Sequence, residues 1–313
     1  MDSNKMKAVF CEKYGTPDVL KLKEIKKPIP KDNEVLIKIY ATSVSSGDCR
    51  IRRFDSPMWA WLMMRAMLGF TKPRNPILGS FLAGEIESVG KNVKKFKKGD
   101  QVYASTGMKF GAYAEYVCLN ENSKMTLKPV NASFEEAVSI PFGGTTALYF
   151  LRRAGIKKGL KVLIYGASGA IGTSAVQIAK YFGAEVTGVT STSNLEFVKN
   201  LGADKVIDYT KNDYTNNNEL FDIIFDSIGK ITYSKSKKVL KPDGKYVTVA
   251  GFEIADEKLE DFILLKELIE QKKIKPVIDK VYPLEEIVEA HKYVEKGHKK
   301  GNVVIRVQNN NKF

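Results

Sequence analysis

The sequence predicts an α/β protein with two parts: a β-rich N-terminal domain holding a small closed or partly closed sheet, and a doubly wound parallel-sheet domain. Three observations lead there. From 161 to 251, continuous apolar strands alternate with amphipathic helices, as in a parallel sheet covered on both faces. A glycine-rich turn, Gly166-Ala-Ser-Gly169-Ala-Ile-Gly172, separates the first of those strands from its helix. Residues 1–130 carry short β-branched runs broken by Gly and Pro.

In the first part, strands are expected at 7–12, 34–41, 83–90, 101–104 and 111–119, punctuated by Pro76, Gly79, Gly90, Gly99 and Gly107. Between them lies the apolar segment Ser56–Phe70, with Trp59, Trp61, Leu62, Met63, Met64, Met67 and Leu68. It is too short to span a bilayer and has Arg65 near its centre. It reads as an inserted helix, either core or a wall for apolar substrates. Near 132 the pattern changes, and Ser133 with Glu136 has capping-box spacing. A boundary is therefore set at 130/131. Strands follow at 161–165, 185–189, 205–208, 221–226 and 245–250, with helices at 170–182, 193–201 (Ser193 as N-cap) and 231–240. Two more helices, 256–273 and 284–295, and a strand at 301–307 complete the chain.

Composition narrows the function. The chain has 313 residues, with 50 basic and 36 acidic side chains and a net charge of +14. The lysines are scattered rather than gathered in a tract. That argues against a nucleic-acid partner and fits a solvated surface with a general pull on anionic ligands. Three distant cysteines, Cys11, Cys49 and Cys118, exclude a disulfide framework and a four-cysteine zinc site. The N-terminus has no apolar leader, so a cytoplasmic protein without a membrane span is expected.

The order strand, glycine turn, helix is what a pyrophosphate needs. Gly166 permits the sharp exit from the strand, Gly169 opens backbone donors to the phosphates, and Gly172 lets helix and strand pack closely. Ser168, Ala170 and Ile171 complete the cradle. The second strand ends Thr190-Ser191-Thr192, with no acid until Glu196. An acid there would repel a 2′-phosphate, so the expected cofactor is NADPH.

Larger motifs now become recognisable: Tyr14–Leu20, Asn33–Lys38, Ala83–Gly90, Lys98–Val102, Gly111–Tyr116, Gly166–Gly172, Leu201–Tyr209 and Lys275–Val281. On these the chain resembles the medium-chain dehydrogenase/reductase superfamily, specifically its zinc-independent quinone oxidoreductase-like members. The resemblance implies a GroES-like barrel over 1–130, completed by 276–313, and a Rossmann domain over 131–275. It places Ser45 and Asp48 beside the nicotinamide as candidate catalytic residues, with Thr146 reaching it, Tyr209 near the adenine and Ser227 close to the cofactor. Ser45 and Ser80 stand where zinc relatives carry a Cys and a His; neutral hydroxyls are poor zinc ligands, so no metal is expected. Phe81 stands where zinc-free relatives often have an acid. The stretch from Gly251 to Leu259 is short, so an edge strand often used for dimerisation is expected to be missing, which leaves a homodimer an open question.

Without a Lewis acid, hydride transfer to a quinone or an α,β-unsaturated carbonyl is easiest, because the charge spreads through conjugation. The expected substrate is therefore a small apolar conjugated carbonyl or quinone. A zinc-free carbonyl/alcohol dehydrogenase and a cofactor-bound nucleic-acid-binding protein are the alternatives. Tyr233 and Lys237 have the spacing of another dehydrogenase family's catalytic pair, but their position after the glycine turn argues for a solvated helix face.

Overall fold

The computed structural model describes residues 4–55, 58, 61–216, 219–251 and 253–308. Ser56, Pro57, Trp59 and Ala60 of the apolar segment, Phe252, and the last five residues lie outside the described set. Contacts divide the chain into two units: residues 1–139, 278–298 and 302–313, and residues 140–277 with 299–301.

The first unit opens with a two-stranded antiparallel sheet, β1 (Lys5–Cys11) and β2 (Leu20–Lys26). The long β3 (Glu34–Val44) leads into helix α1 (Ser46–Arg53), then α2 (Trp61–Leu68), β4 (Phe81–Val89), β5 (Gln101–Ser105), β6 (Tyr116–Asn120), β7 (Met125–Leu127) and α3 (Phe134–Ser139). The expected strand at 111–119 begins only at 116. Phe110 and Gly111 both have positive φ, and 112–115 instead makes single bonds to neighbouring backbone, such as Val9 N–H to the Tyr113 carbonyl at 2.8 Å. The Ser133–Glu136 capping box is present: each backbone N–H donates to the other's side chain. The unit boundary falls after Ser139 rather than at 130, because Phe134 stacks on Tyr40 of β3 at 4.5 Å.

The second unit holds α4 (Pro141–Arg153), β8 (Lys161–Tyr165), α5 (Ala170–Tyr181), β9 (Glu185–Thr190), α6 (Leu195–Asn200), β10 (Lys205–Asp208), β11 (Phe221–Asp226), the single turn α7 (Tyr233–Ser236), β12 (Leu240–Thr248) and α8 (Leu259–Glu270). Among the described residues its sheet has five strands, all parallel, in the order β10-β9-β8-β11-β12. This is the doubly wound order, with the direction of winding reversing between β8 and β11. No strand follows β12 among the described residues before α8. Ser193 does not cap α6. It lies inside a 3-10 turn over Thr192–Asn194, and Asn194 flanks the helix.

The chain then returns to the first unit as β13 (Ile278–Pro283), α9 (Ile287–Glu295) and β14 (Asn302–Arg306). β14 lies between β13 and β3, and the sheet runs β13-β14-β3-β4-β5-β7 with β6 also paired to β3. Val35, Ile37, Ile39, Leu82, Ile86 and Val102 fill its interior.

Candidate functional site

In the second unit, Gly166–Gly172, Thr190–Thr192, Tyr209 and Ser227 lie at or just past the carboxyl ends of β8, β9, β10 and β11, whereas Thr146 lies within α4. Gly166 leaves β8 with φ +80°, and its N–H and that of Ala167 both donate to the Val189 carbonyl of β9. A Cβ on Gly172 would stand 2.1 Å from the Gly166 carbonyl oxygen, so only glycine lets α5 pack this close to the turn. A Cβ on Gly169 would meet nothing nearer than 3.5 Å. Gly169 is the N-cap of α5, with no capping side chain and no acid in the first turn. The first N–H groups of α5, from Ala170, Ile171 and Gly172, are therefore left for a ligand. An anionic diphosphate fits this cradle.

Other hydroxyls of the site are already committed. Thr190 is buried, and its Oγ1 donates to Ser168 Oγ at 2.9 Å. This bond braces the turn. Asn194 Nδ2 also donates to Ser168, at 3.3 Å, so the Ser168 proton remains to be given outward. Ser227 donates to the Tyr165 carbonyl at 2.7 Å and ties the ends of β11 and β8 together. Thr146 Oγ1 donates to the Phe142 carbonyl within its own helix. Gly143 brings α4 against α5, since a Cβ there would lie 2.2 Å from the Ala170 carbonyl. Tyr209 is half exposed at the end of β10, its ring 6.2 Å from that of Tyr165. Tyr233 is exposed and packs edge-on to Tyr246.

Two residues here escaped sequence reasoning. Asp208 ends β10 in register with Thr190. It accepts from Thr192 Oγ1 at 2.5 Å and from Thr210 Oγ1 at 2.7 Å, and these bonds hold its pKa below the usual value. The neighbouring strand therefore sets an acid beside Thr192. Thr192, giving its proton to Asp208, presents lone pairs outward. The Thr210 hydroxyl lies 3.0 Å from that of Thr192, while Ser191 Oγ lies 3.4 Å from Ser193 Oγ and accepts from Asn194 Nδ2 at 3.2 Å. Asp226, fully buried, accepts from the N–H groups of Ile228, Gly229 and Ile231 and shapes the loop after β11.

Ser45 and Asp48 belong to the first unit. They form the capping box of α1: Ser45 N–H and Oγ donate to Asp48 Oδ2 at 2.8 and 2.6 Å, and Asp48 N–H donates to Ser45 Oγ at 3.2 Å. Both are buried. Burial pushes the Asp48 carboxyl up to about 6 despite these bonds. Among the described residues, neither its second oxygen, Oδ1, nor the buried Tyr113 hydroxyl has a hydrogen-bond partner, though the two groups lie close enough to act on each other's charge. Burial first, and the Asp48 charge second, hold that phenol well above its ordinary pKa.

Behind them lies a cluster that local reading could not see. Cys49 has no histidine near it in sequence, yet His291 of α9 stands against it, Nδ1 to Sγ at 3.4 Å. Arg52 Nε donates to the same Nδ1 at 3.3 Å, so the imidazole carries its proton on Nε2. Burial and, second, the Arg52 charge pull His291 down to about 3. Burial raises the Cys49 thiol to about 12. Arg52 is neutralised by Glu295 and also donates to the Gly15 carbonyl. Among the described residues no group of three potential metal ligands gathers here, and the Ser45 hydroxyl, a poor zinc ligand, is already bonded to Asp48.

Comparison with known proteins agrees with both halves of the architecture. A model described as alcohol dehydrogenase GroES-like domain matches residues 31–129, and one described as zinc-binding dehydrogenase matches 170–278. The chain is 36% identical to a 2-methylene-furan-3-one reductase from Solanum lycopersicum, over 96% of this chain and 79% of the relative. It is 34% identical to a chloroplastic NADPH-dependent alkenal/one oxidoreductase from Arabidopsis thaliana, with the same coverage. Among solved structures, a quinone oxidoreductase from Coxiella burnetii superposes with a TM-score of 0.86 at 29% identity, covering 97% of this chain and all of that one. The chain belongs to the medium-chain dehydrogenase/reductase family of nicotinamide-dependent oxidoreductases.

Proposed function

We propose that this protein is an NADPH-dependent reductase that delivers hydride to a quinone or an α,β-unsaturated carbonyl without zinc, in the cytoplasm. One observation carries the reading. The uncapped N-terminus of α5, opened by Gly169, offers a complete diphosphate cradle, while the loop at Ser45 spends its donors on a helix cap and holds no metal-ligand set. The names of the two plant relatives and of the Coxiella structure support the same chemistry.

In this reading, Gly166, Ser168, Gly169, Ala170, Ile171 and Gly172 hold the diphosphate. Ser191 and Thr192 border the 2′-phosphate, Tyr209 borders the adenine, and Thr146 and Ser227 line the nicotinamide end. When bound, the cofactor supplies the hydride. Ser45 and Asp48 are positioning residues: their reciprocal bonds fix the start of α1, and neither has a free, exposed proton to give.

The experiment is anaerobic NADPH oxidation against a panel of quinones and enones, with metal analysis of the same sample. Turnover on the panel, unchanged by chelator, is expected. Stoichiometric zinc lost together with activity would overturn the proposal. The same assay reads cofactor choice. Asp208→Asn removes a negative charge beside Thr192, so it is expected to improve KM for NADPH several-fold and leave NADH nearly unchanged. Equal effects on both would mean that Asp208 is not at the 2′ position.

A further inference from the structure

Helix α2 is pinned to the first unit by one side only. Leu68 joins Phe54 and Phe110 in a small buried cluster. The Arg65 guanidinium lies over the rings of Tyr14, Phe54 and Trp61, 3.8 Å from the Phe54 centroid, and bonds the Phe70 carbonyl. Its other side is apolar and open to solvent. Leu62 is 66% exposed, Met63 60% and Phe70 59%, and Met58 is 92% exposed. Trp61, Met67 and Met108 are exposed as well. A helix that is apolar all round and yet half uncovered asks for an apolar environment on its free face.

The charges around this face identify that environment. From 50 to 74 the exposed cations are Arg50, Arg53, Lys72 and Arg74 and the one acid is Asp55; Arg52 is buried against Glu295, and Arg53 pairs with both Asp55 and Glu295. Lys109 is exposed as well. Lys109 is tied to the segment by Asn75, which donates to its carbonyl. A second copy of this chain would bring the same positive rim against itself. An anionic lipid surface neutralises the rim and accepts the apolar side chains between its headgroups. We propose that α2 and its flanks form a docking face for an anionic bilayer, with the helix lying in the headgroup layer rather than crossing it.

Both tryptophans of the chain, Trp59 and Trp61, fall in this segment, so intrinsic fluorescence reports directly on it. The intact protein is titrated with phosphatidylcholine vesicles and with vesicles containing about a third phosphatidylglycerol, at about 0.15 M salt. A blue shift with the anionic vesicles alone is expected, along with quenching by lipids brominated on the acyl chain. The uncharged change Leu62→Ser with Met63→Ser, on exposed side chains, is expected to weaken partitioning at least tenfold while keeping the melting temperature. Lys237→Gln with Lys238→Gln, in the other unit, removes two charges and is expected to change little. The proposal fails if no shift appears, or if neutral and anionic vesicles bind alike. It also fails if the lysine pair matters as much as the apolar pair, which would mean general charge attraction. Self-association without lipid that the serine variant abolishes would assign the face to a second copy instead.

Discussion

His291 and Asp48 are two buried groups whose burial acts on stability in opposite directions with pH. Unfolded, the imidazole titrates near 6.5; in the fold, surrounded by Cys49, Arg52 and Tyr113, it stays neutral to about 3. Between those values the unfolded chain holds the extra proton, so this group makes stability rise with pH. Asp48, faced by Ser45, Cys49 and Tyr113, moves from 3.8 to about 6. In that window the folded chain holds the extra proton, and stability falls as pH rises. The two contributions oppose each other between about pH 4 and 6. His291→Gln is therefore expected to lower the slope of unfolding free energy against pH by up to one proton, about 1.4 kcal/mol per pH unit. Asp48→Asn is expected to raise it by the same amount within the narrower window. Chemical denaturation across pH 3.5–7 measures both, and parallel curves for wild type and variants would show that these groups titrate at their ordinary values.

At the scale of the element, the glycines of the turn separate packing from binding. Gly172→Ala forces a Cβ onto backbone at 2.1 Å, so α5 must retreat from β8. A loss of about 1–3 kcal/mol and of dinucleotide affinity is expected. Gly169→Ala has room for its Cβ and should keep the melting temperature while blocking the phosphate. Thermal unfolding with cofactor titration distinguishes the two, and equal destabilisation would contradict this division. Those glycines were legible in the sequence because a turn is local: strand, bend and helix are consecutive. The Ser133–Glu136 box was legible for the same reason. Asp208 was not, because it reaches Thr192 through the register of two parallel strands. Nor was the His291–Cys49 pair, which spans 242 positions and depends on α9 packing against α1. The Thr190-Ser191-Thr192 run was read as open donors. In the fold, Thr190 and Thr192 give their protons to Ser168 and Asp208, and nothing in a linear chain shows where a hydroxyl proton goes.

At the scale of the whole molecule, the two units differ in how the chain supplies them. The parallel sheet is complete by Thr248, within one nearly continuous stretch. The first unit is not, because β14 must insert between β13 and β3, pairing Val303–Arg306 with Val44–Ala41. During synthesis the residues made first must therefore wait for those made last. The unit that starts at the N-terminus is expected to finish second, reversing the usual order in which domains emerge and fold. Ribosome-arrested chains with residue 277 just outside the exit tunnel should yield a protease-resistant fragment from 140–277 while 1–139 is still digested. Equal resistance of both would mean that β3 folds without its late partner. Until β14 arrives, the flank of β3 that will receive it stays unpaired, and that interval is when a nascent chain of this fold would depend most on a chaperone.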